Sequence, residues 1–254
     1  MTEPRDVTWF AEQLRTSGGD WEDQALAFVE MRLGEVTPAL QGNPRDFASA
    51  QAADTYRRWL GDTYLLSGKA RQALEMETAR FQANPDQGTY RSVRSAAQAP
   101  GQPEDLWPGL RPQLIGTLEQ QARWGALVSI LLDEGEVGQA LAALAEMERA
   151  PRPPLYGYSS RAPDPLSQYQ AHVAKAAEES YPDEAIRLYR CVAQALIDGR
   201  GRENYQQAAT YVSRIRQLSQ KQGREAEWHT FLANLRNSNK SLRALQEELD
   251  KAGL

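Results

Sequence analysis

Apolar residues recur three and four apart through segment after segment of this 254-residue chain, and the period-two alternation of half-buried strands is almost absent. A period near 3.6 lines one face of a helix, so the pattern admits helices packed on helices and little else. Helices are expected near 4–16, 20–33, 45–67, 69–83, 86–98, 112–134, 136–149, 166–180, 182–198, 202–222 and 224–251. Asp20 is placed to cap the second by accepting the amide of Asp23. Pro44 and Pro182 fall in first-turn positions, where a missing N–H costs nothing. Gly34, Gly68, Gly135, Gly199 and Gly223 fall where a left-handed residue would release a helix.

Within this pattern "WLGDTYLLSGKARQALE" (59–75) reads as helix, glycine hinge, helix. With Gly61 as the small residue at the crossing, Leu60, Tyr64, Gly68, Ala73 and Pro85 take the spacing of a 34-residue helical hairpin, while Glu77 and Arg80 do not fit it. Residues 54–87 thus resemble a tetratricopeptide repeat. Trp124, Leu127, Leu131, Gly135, Ala140 and Leu144 repeat the spacing, and Tyr169, Ala185 and Tyr189 do so more sparsely. The resemblance implies an all-α, tetratricopeptide-like α-solenoid of antiparallel helical hairpins, about 10 or 11 helices, in which each hairpin covers the apolar face of the last and a concave surface remains. Helix, glycine, helix with alanine at the crossing is also what any helical hairpin requires, and residues 88–111 make no clean repeat.

Two stretches interrupt the helical pattern. "AQAPGQPEDLWPGLRP" (97–112) is expected to be a short loop pinned by Leu106 and Trp107. "RAPRPPLYGYSSRAPDP" (149–165) carries five prolines that favour extended backbone, and its Tyr156 and Tyr158 either pin it to the helices or present it to a partner. It is taken as the seam between an N-terminal hairpin array (1–150) and a C-terminal helical module (166–254), with 151–165 as the loop between them.

The net charge of −5 conceals a segregation. Residues 1–186 hold 17 Lys and Arg against 27 Asp and Glu, residues 187–243 hold 11 against 4, and the last eleven are acidic again. Arg187, Arg190, Arg200, Arg202, Arg214, Arg216, Arg224, Arg236, Lys240 and Arg243 lie mostly off the apolar stripes. Gathered on one exposed face, they would suit phosphate or an acidic helix in a salt-sensitive way, although no aromatic side chains interleave with them to stack bases. Solvated helix faces collect arginines too.

"YPDEAIRLY", "GRENYQQAA", "GREAEWHTFLANL" and "RALQEELDKAGL" (within 181–254) are similar to the C-terminal helical region of bacterial SWIM zinc-finger proteins. That resemblance implies a helical module that accompanies a zinc-binding finger for DNA or protein interaction. The finger needs a CxC pair followed by Cys and His, and Cys191 is the single cysteine here. Either the chain kept only the helical module or the finger belongs to another chain, so no metal chemistry carries over.

Chemistry has little purchase elsewhere. His172 and His229 each lack a second His or Cys at ligand spacing, and "EAEWH" has one histidine where a zinc protease needs two. Cys191 is expected to be a partly buried helical residue without a neighbouring base. GxGxxG, GxxxxGK[ST] and GxSxG are absent, and Asp133, Glu134 and Glu136 straddle an ordinary turn. The opening "MTEPRDVTWF" lacks the basic and apolar runs of a signal peptide, and no window reaches the roughly 18 apolar residues of a membrane helix, so a cytoplasmic protein is expected. The reading is a non-catalytic repeat scaffold or adaptor that binds a protein or peptide on its concave face, with no catalytic residues, metal or cofactor. The alternatives are a nucleic-acid-associated module using the basic face, and an enzyme whose acid pairs assemble across helices.

Overall fold

A computed structural model of the chain describes residues 3–43, 45–151 and 165–254. Among the described residues there are thirteen α-helices and no strand. In order they are α1 (Pro4–Thr16), α2 (Trp21–Gly42), α3 (Phe47–Leu66), α4 (Ala70–Ala83), α5 (Gln87–Ala97), α6 (Leu106–Gln120), α7 (Trp124–Asp133), α8 (Val137–Arg149), α9 (Pro165–Ala177), α10 (Pro182–Asp198), α11 (Arg202–Lys221), α12 (Glu225–Ser238) and α13 (Arg243–Lys251). The all-α expectation holds, with the helices paired as hairpins in solenoid-like succession.

Several boundaries differ from the sequence pattern, each for a local reason. Helix α2 runs through Gly34 and Pro38 to Gly42, and the carbonyl that Pro38 leaves without a donor belongs to Gly34 itself. Asp20 makes no side-chain cap, whereas Asp46, at the head of α3, accepts the amide of Ser49 at 3.3 Å. Leu106 and Trp107 begin a helix rather than pin a loop, with Trp107 5.4 Å from the Tyr90 ring of α5. The expected helix 112–134 is two: Ala122 adopts φ +52°, and the Arg123 amide turns back to the Leu118 carbonyl at 2.8 Å. Likewise 224–251 breaks at 239–242, where the Leu242 amide donates to the Asn239 carbonyl. Gly68, Gly135 and Gly223 are left-handed as expected; at the end of α10 that role passes from Gly199 to Arg200 (φ +56°) and Gly201.

The chain forms two compact units, Met1–Arg123 and Trp124–Leu254. The division falls at the break after α6, not at 151–165; α8 and α9, on either side of that segment, pack together in the second unit. Within each unit most helices pack on their neighbours in sequence, and some reach one further: α1 also meets α3, α7 also meets α9, and α13 packs on α11. Each amphipathic helix thereby hides its stripe against the next. In the first unit the core runs Val7, Leu26, Val29, Tyr56, Leu60, Tyr64 and Ala73. In the second, Ala185, Leu188, Tyr189, Val192 and Leu196 of α10 face Tyr205, Ala208, Ala209, Val212, Ile215 and Leu218 of α11, all buried.

Glycines at crossings receive polar side chains. Glu77 of α4 is 2% exposed and lies against Gly61 of α3, where an added Cβ would overlap its carboxylate oxygen and stand 3.2 Å from Cδ. Arg80 holds that carboxylate at 2.7 Å and reaches Asp54 of α3 at 3.0 Å. Burial pushes the Glu77 carboxyl up, and Arg80 offsets this only in part. In the second unit Gly125 sits under the Tyr169 hydroxyl and Gly138 under that of Tyr181. Gly61→Ala should cost about 1–3 kcal/mol, because the methyl must displace a carboxylate fixed in a buried pair; urea unfolding would show a lower midpoint at unchanged slope. The folded-state carboxyl of Glu77 titrates above its unfolded value, so its charged form disfavours the fold. Wild type should therefore gain stability relative to Glu77→Gln as pH falls from neutral toward the unfolded value, and a flat difference would contradict the burial account.

Candidate functional site

Opposite its core stripe, α3 presents Phe47, Gln51, Asp54, Arg58 and Asp62, and with the end of α4 and the start of α5 this face encloses a cleft of about 640 Å³. Its floor is Arg80, Ala83 and Asn84, and its far wall is Asp86, Thr89 and Ser92. The polar groups are mostly fixed. Asp86 and Thr89 form a reciprocal cap on α5, with the Thr89 amide donating to Asp86 at 2.8 Å. Asp54 pairs with both Arg58 and Arg80. Asp62 has no ion pair among the described residues, and Phe47 is 79% exposed. The cleft thus has a frame of two acids and two arginines, Asp54 and Asp86 with Arg58 and Arg80, around one unpartnered carboxylate and one unburied ring. Sequence reasoning missed it, although Phe47 is an aromatic out of phase with the Ala52–Tyr56–Leu60 stripe.

A parallel arrangement occurs in the second unit, where α10 and α12 flank the end of α11. One cleft of about 290 Å³ is lined by Asp183, Ile186, Arg187, Arg190, Cys191, Ser219, Arg224 and Glu227. An adjoining cleft of about 430 Å³ shares Arg190 and Glu227 and continues along Ala226, Thr230, Phe231 and Asn234 of α12.

The ten basic residues expected to form one face are distributed over α10 to α13 and the turns between them, and five are tied to carboxylates. Arg187 pairs with Glu184 at 2.7 Å and Glu148 at 3.4 Å. Arg202 holds Glu247 and Glu248, Arg214 holds Glu178, Arg224 holds Glu227 and Asp183, and Arg236 holds Asp250. The acids so engaged lie in the last eleven residues or before 187, apart from Glu227, so the charge segregation along the chain is largely cancelled in space. These pairs raise the guanidinium pKa of Arg202 and Arg214, first through the hydrogen bonds to Glu248 and Glu178. Arg216 donates to the Gly253 carbonyl at 2.9 Å, and Arg190 stacks on Phe231. Arg200, Lys240 and Arg243 make no ion pair among the described residues.

Tyr156 and Tyr158 lie outside the described residues. His172 and His229 are exposed, on α9 and α12. Cys191, expected half-buried, is exposed at the mouth of the smaller α10–α12 cleft. Among the described residues no three His, Cys, Asp or Glu side chains are grouped to hold a metal ion, and no helix is long and apolar enough to cross a membrane.

No protein-family model matches the sequence. A curated relative, the uncharacterized protein YwqB of Bacillus subtilis (strain 168), is 32% identical over 89 residues. That stretch is 35% of this chain and 17% of the relative, so the chain spans about a sixth of the length of the protein it matches. The tied and untied cations should behave differently on substitution. Arg236 bonds Asp250, Gln246 and the Leu254 backbone oxygen, joining α12 to α13, so Arg236→Gln should lower stability by about 1 kcal/mol. Lys240→Gln should leave the unfolding midpoint unchanged; equal effects would show that the ties contribute nothing.

Proposed function

We propose that the protein is a non-catalytic scaffold of tetratricopeptide-like helical hairpins that holds a protein or peptide segment between alternate helices. The observation that carries this reading is the cleft of about 640 Å³ flanked by α3 and α5, whose rigid polar frame surrounds an unburied Phe47 and an unpartnered Asp62. A groove between alternate helices follows from hairpin stacking, and its walls are held by the packing of the array rather than by the occupant. We place the scaffold in the cytoplasm. We take its C-terminal helices as a relative of the SWIM-associated module, working beside a finger carried by another chain. The support is the residue pattern of 181–254, and a zinc-finger reading frame among the genomic neighbours would strengthen it.

The pairing of five of the ten basic residues with carboxylates favours a protein partner over nucleic acid, since a tied arginine has to leave its carboxylate to meet a phosphate. Two measurements test the proposal. A photo-crosslinking amino acid at Gln51, inside the cleft, should give discrete protein adducts from lysate, lost in Phe47→Ala/Asp62→Lys and absent when the crosslinker is at Arg71, outside the cleft. Adducts that ignore both changes would overturn it. Binding to duplex DNA should be weak, with a salt dependence equivalent to about five phosphate contacts or fewer; a slope near that for ten would favour the nucleic-acid reading.

A further inference from the structure

In the α3–α5 cleft the cations on the lining are committed and one carboxylate is not. Arg80 holds Glu77 at 2.7 Å and Asp54 at 3.0 Å, and Arg58 holds Asp54 at 3.0 Å, so these two acids and two arginines close a neutral network. Asp86 is engaged in the α5 cap and takes a further bond from Asn84 at 3.1 Å. Arg57 is half-buried in the field of Asp54 and makes no ion pair among the described residues. Arg91 and Arg94 of α5 lie off the lining and already have partners. With Arg57 counted, Asp54, Asp62, Glu77 and Asp86 face Arg57, Arg58 and Arg80, and the carboxylate left without a cation is that of Asp62, exposed on the α3 wall. Burial is the main cause that pushes the Glu77 carboxyl up, and the negative charges of Asp62 and Asp54 push the same way.

The shape of the cleft limits what can bring that cation. Phe47 and Asp62 both line it from α3, and their separation along the helix is about 22 Å at 1.5 Å per residue. A helix of that length, about 10 Å across, would displace on the order of 1,700 Å³. The cleft offers about 640 Å³. An extended segment covers the same span with about six or seven residues. Gln51 on the α3 wall and Ser92 on the α5 wall have side chains without a hydrogen bond among the described residues, so each wall can meet peptide groups of such a segment. We infer that the cleft binds an extended segment of a partner protein, which sets a Lys or Arg side chain on Asp62 and an apolar side chain, about six or seven residues away, on Phe47. This rests on the reading of the cleft as the partner site and adds the charge and the spacing of its occupant.

The test uses the full chain and follows the side-chain carboxylate resonance of Asp62 and the side-chain amide of Gln51 by NMR. The probes are capped peptides that join Leu to Lys through Ser-Thr-Ser-Thr-Ser-Thr, made in both orders, with counterparts carrying Gln or Glu in place of Lys. In at least one order the Lys peptide should shift both resonances saturably. It should bind about fivefold or more tightly than its Glu counterpart at low ionic strength, by a margin that narrows with added salt. Asp62→Lys should invert that preference, and Phe47→Ala should weaken the Lys peptide several-fold. Both side chains are exposed, so an unchanged urea midpoint will show that the variants fold. Arg71→Gln, on an exposed face of α4, should change nothing. Equal binding of the Lys, Gln and Glu peptides, or a Lys preference that survives Asp62→Lys, overturns the inference and leaves the cleft a docking site. Absence of a saturable shift with every peptide at millimolar concentration overturns it as well, and crosslinking from Gln51 then decides separately whether the cleft receives a partner.

Discussion

A helical hairpin with a wide apolar stripe cannot cover that stripe by itself, and the architecture here follows from this. Two helices hide one side of each other, and the exposed remainder must be met by the next helix in the chain. The packing runs accordingly, from neighbour to neighbour with contacts one helix further along. Closeness at the crossings sets how well each hairpin closes. Gly61, Gly125 and Gly138 supply it, and in each case the space a side chain would fill is occupied by a carboxylate or hydroxyl from another helix or turn.

The same stacking accounts for the clefts. When one helix lies behind two others, the faces of the outer pair that point away from the core border a groove, as α3 and α5 do over the end of α4. The groove over α11 between α10 and α12 has the same construction with different lining: Asp62 and Phe47 in the first unit, Arg190 stacked on Phe231 in the second. The stacking thus fixes where each groove lies, and the side chains on its walls set its chemistry.

Much of the helical content was legible because amphipathic period is a local property. Ala185 to Leu196 and Tyr205 to Leu218 read as stripes in the sequence and are stripes in the structure. The breaks at Ala122 and Asn239 were not legible in the same way, since neither carries glycine or proline, and at Ala122 an alanine takes the left-handed conformation that glycine usually marks. The role of Glu77 and Arg80 was hidden for a related reason. A charged pair violates the expected apolar pattern, and only the fold shows that the two neutralise one another beside Gly61. The basic segment misled most: its partners are tens of residues away, as Glu178 is from Arg214 and Glu248 from Arg202, so composition along the chain carried little information about charge in space.

Hydrogen exchange of the second unit under native conditions tests most directly whether stability passes from neighbour to neighbour. Ile215 is fully buried in α11, and Ile215→Ala should lower amide protection most in α10, α11 and α13 and least in α7 and α8, because nearest-neighbour interfaces carry the loss. A uniform loss from α7 to α13 would mean a single cooperative core and would contradict the account.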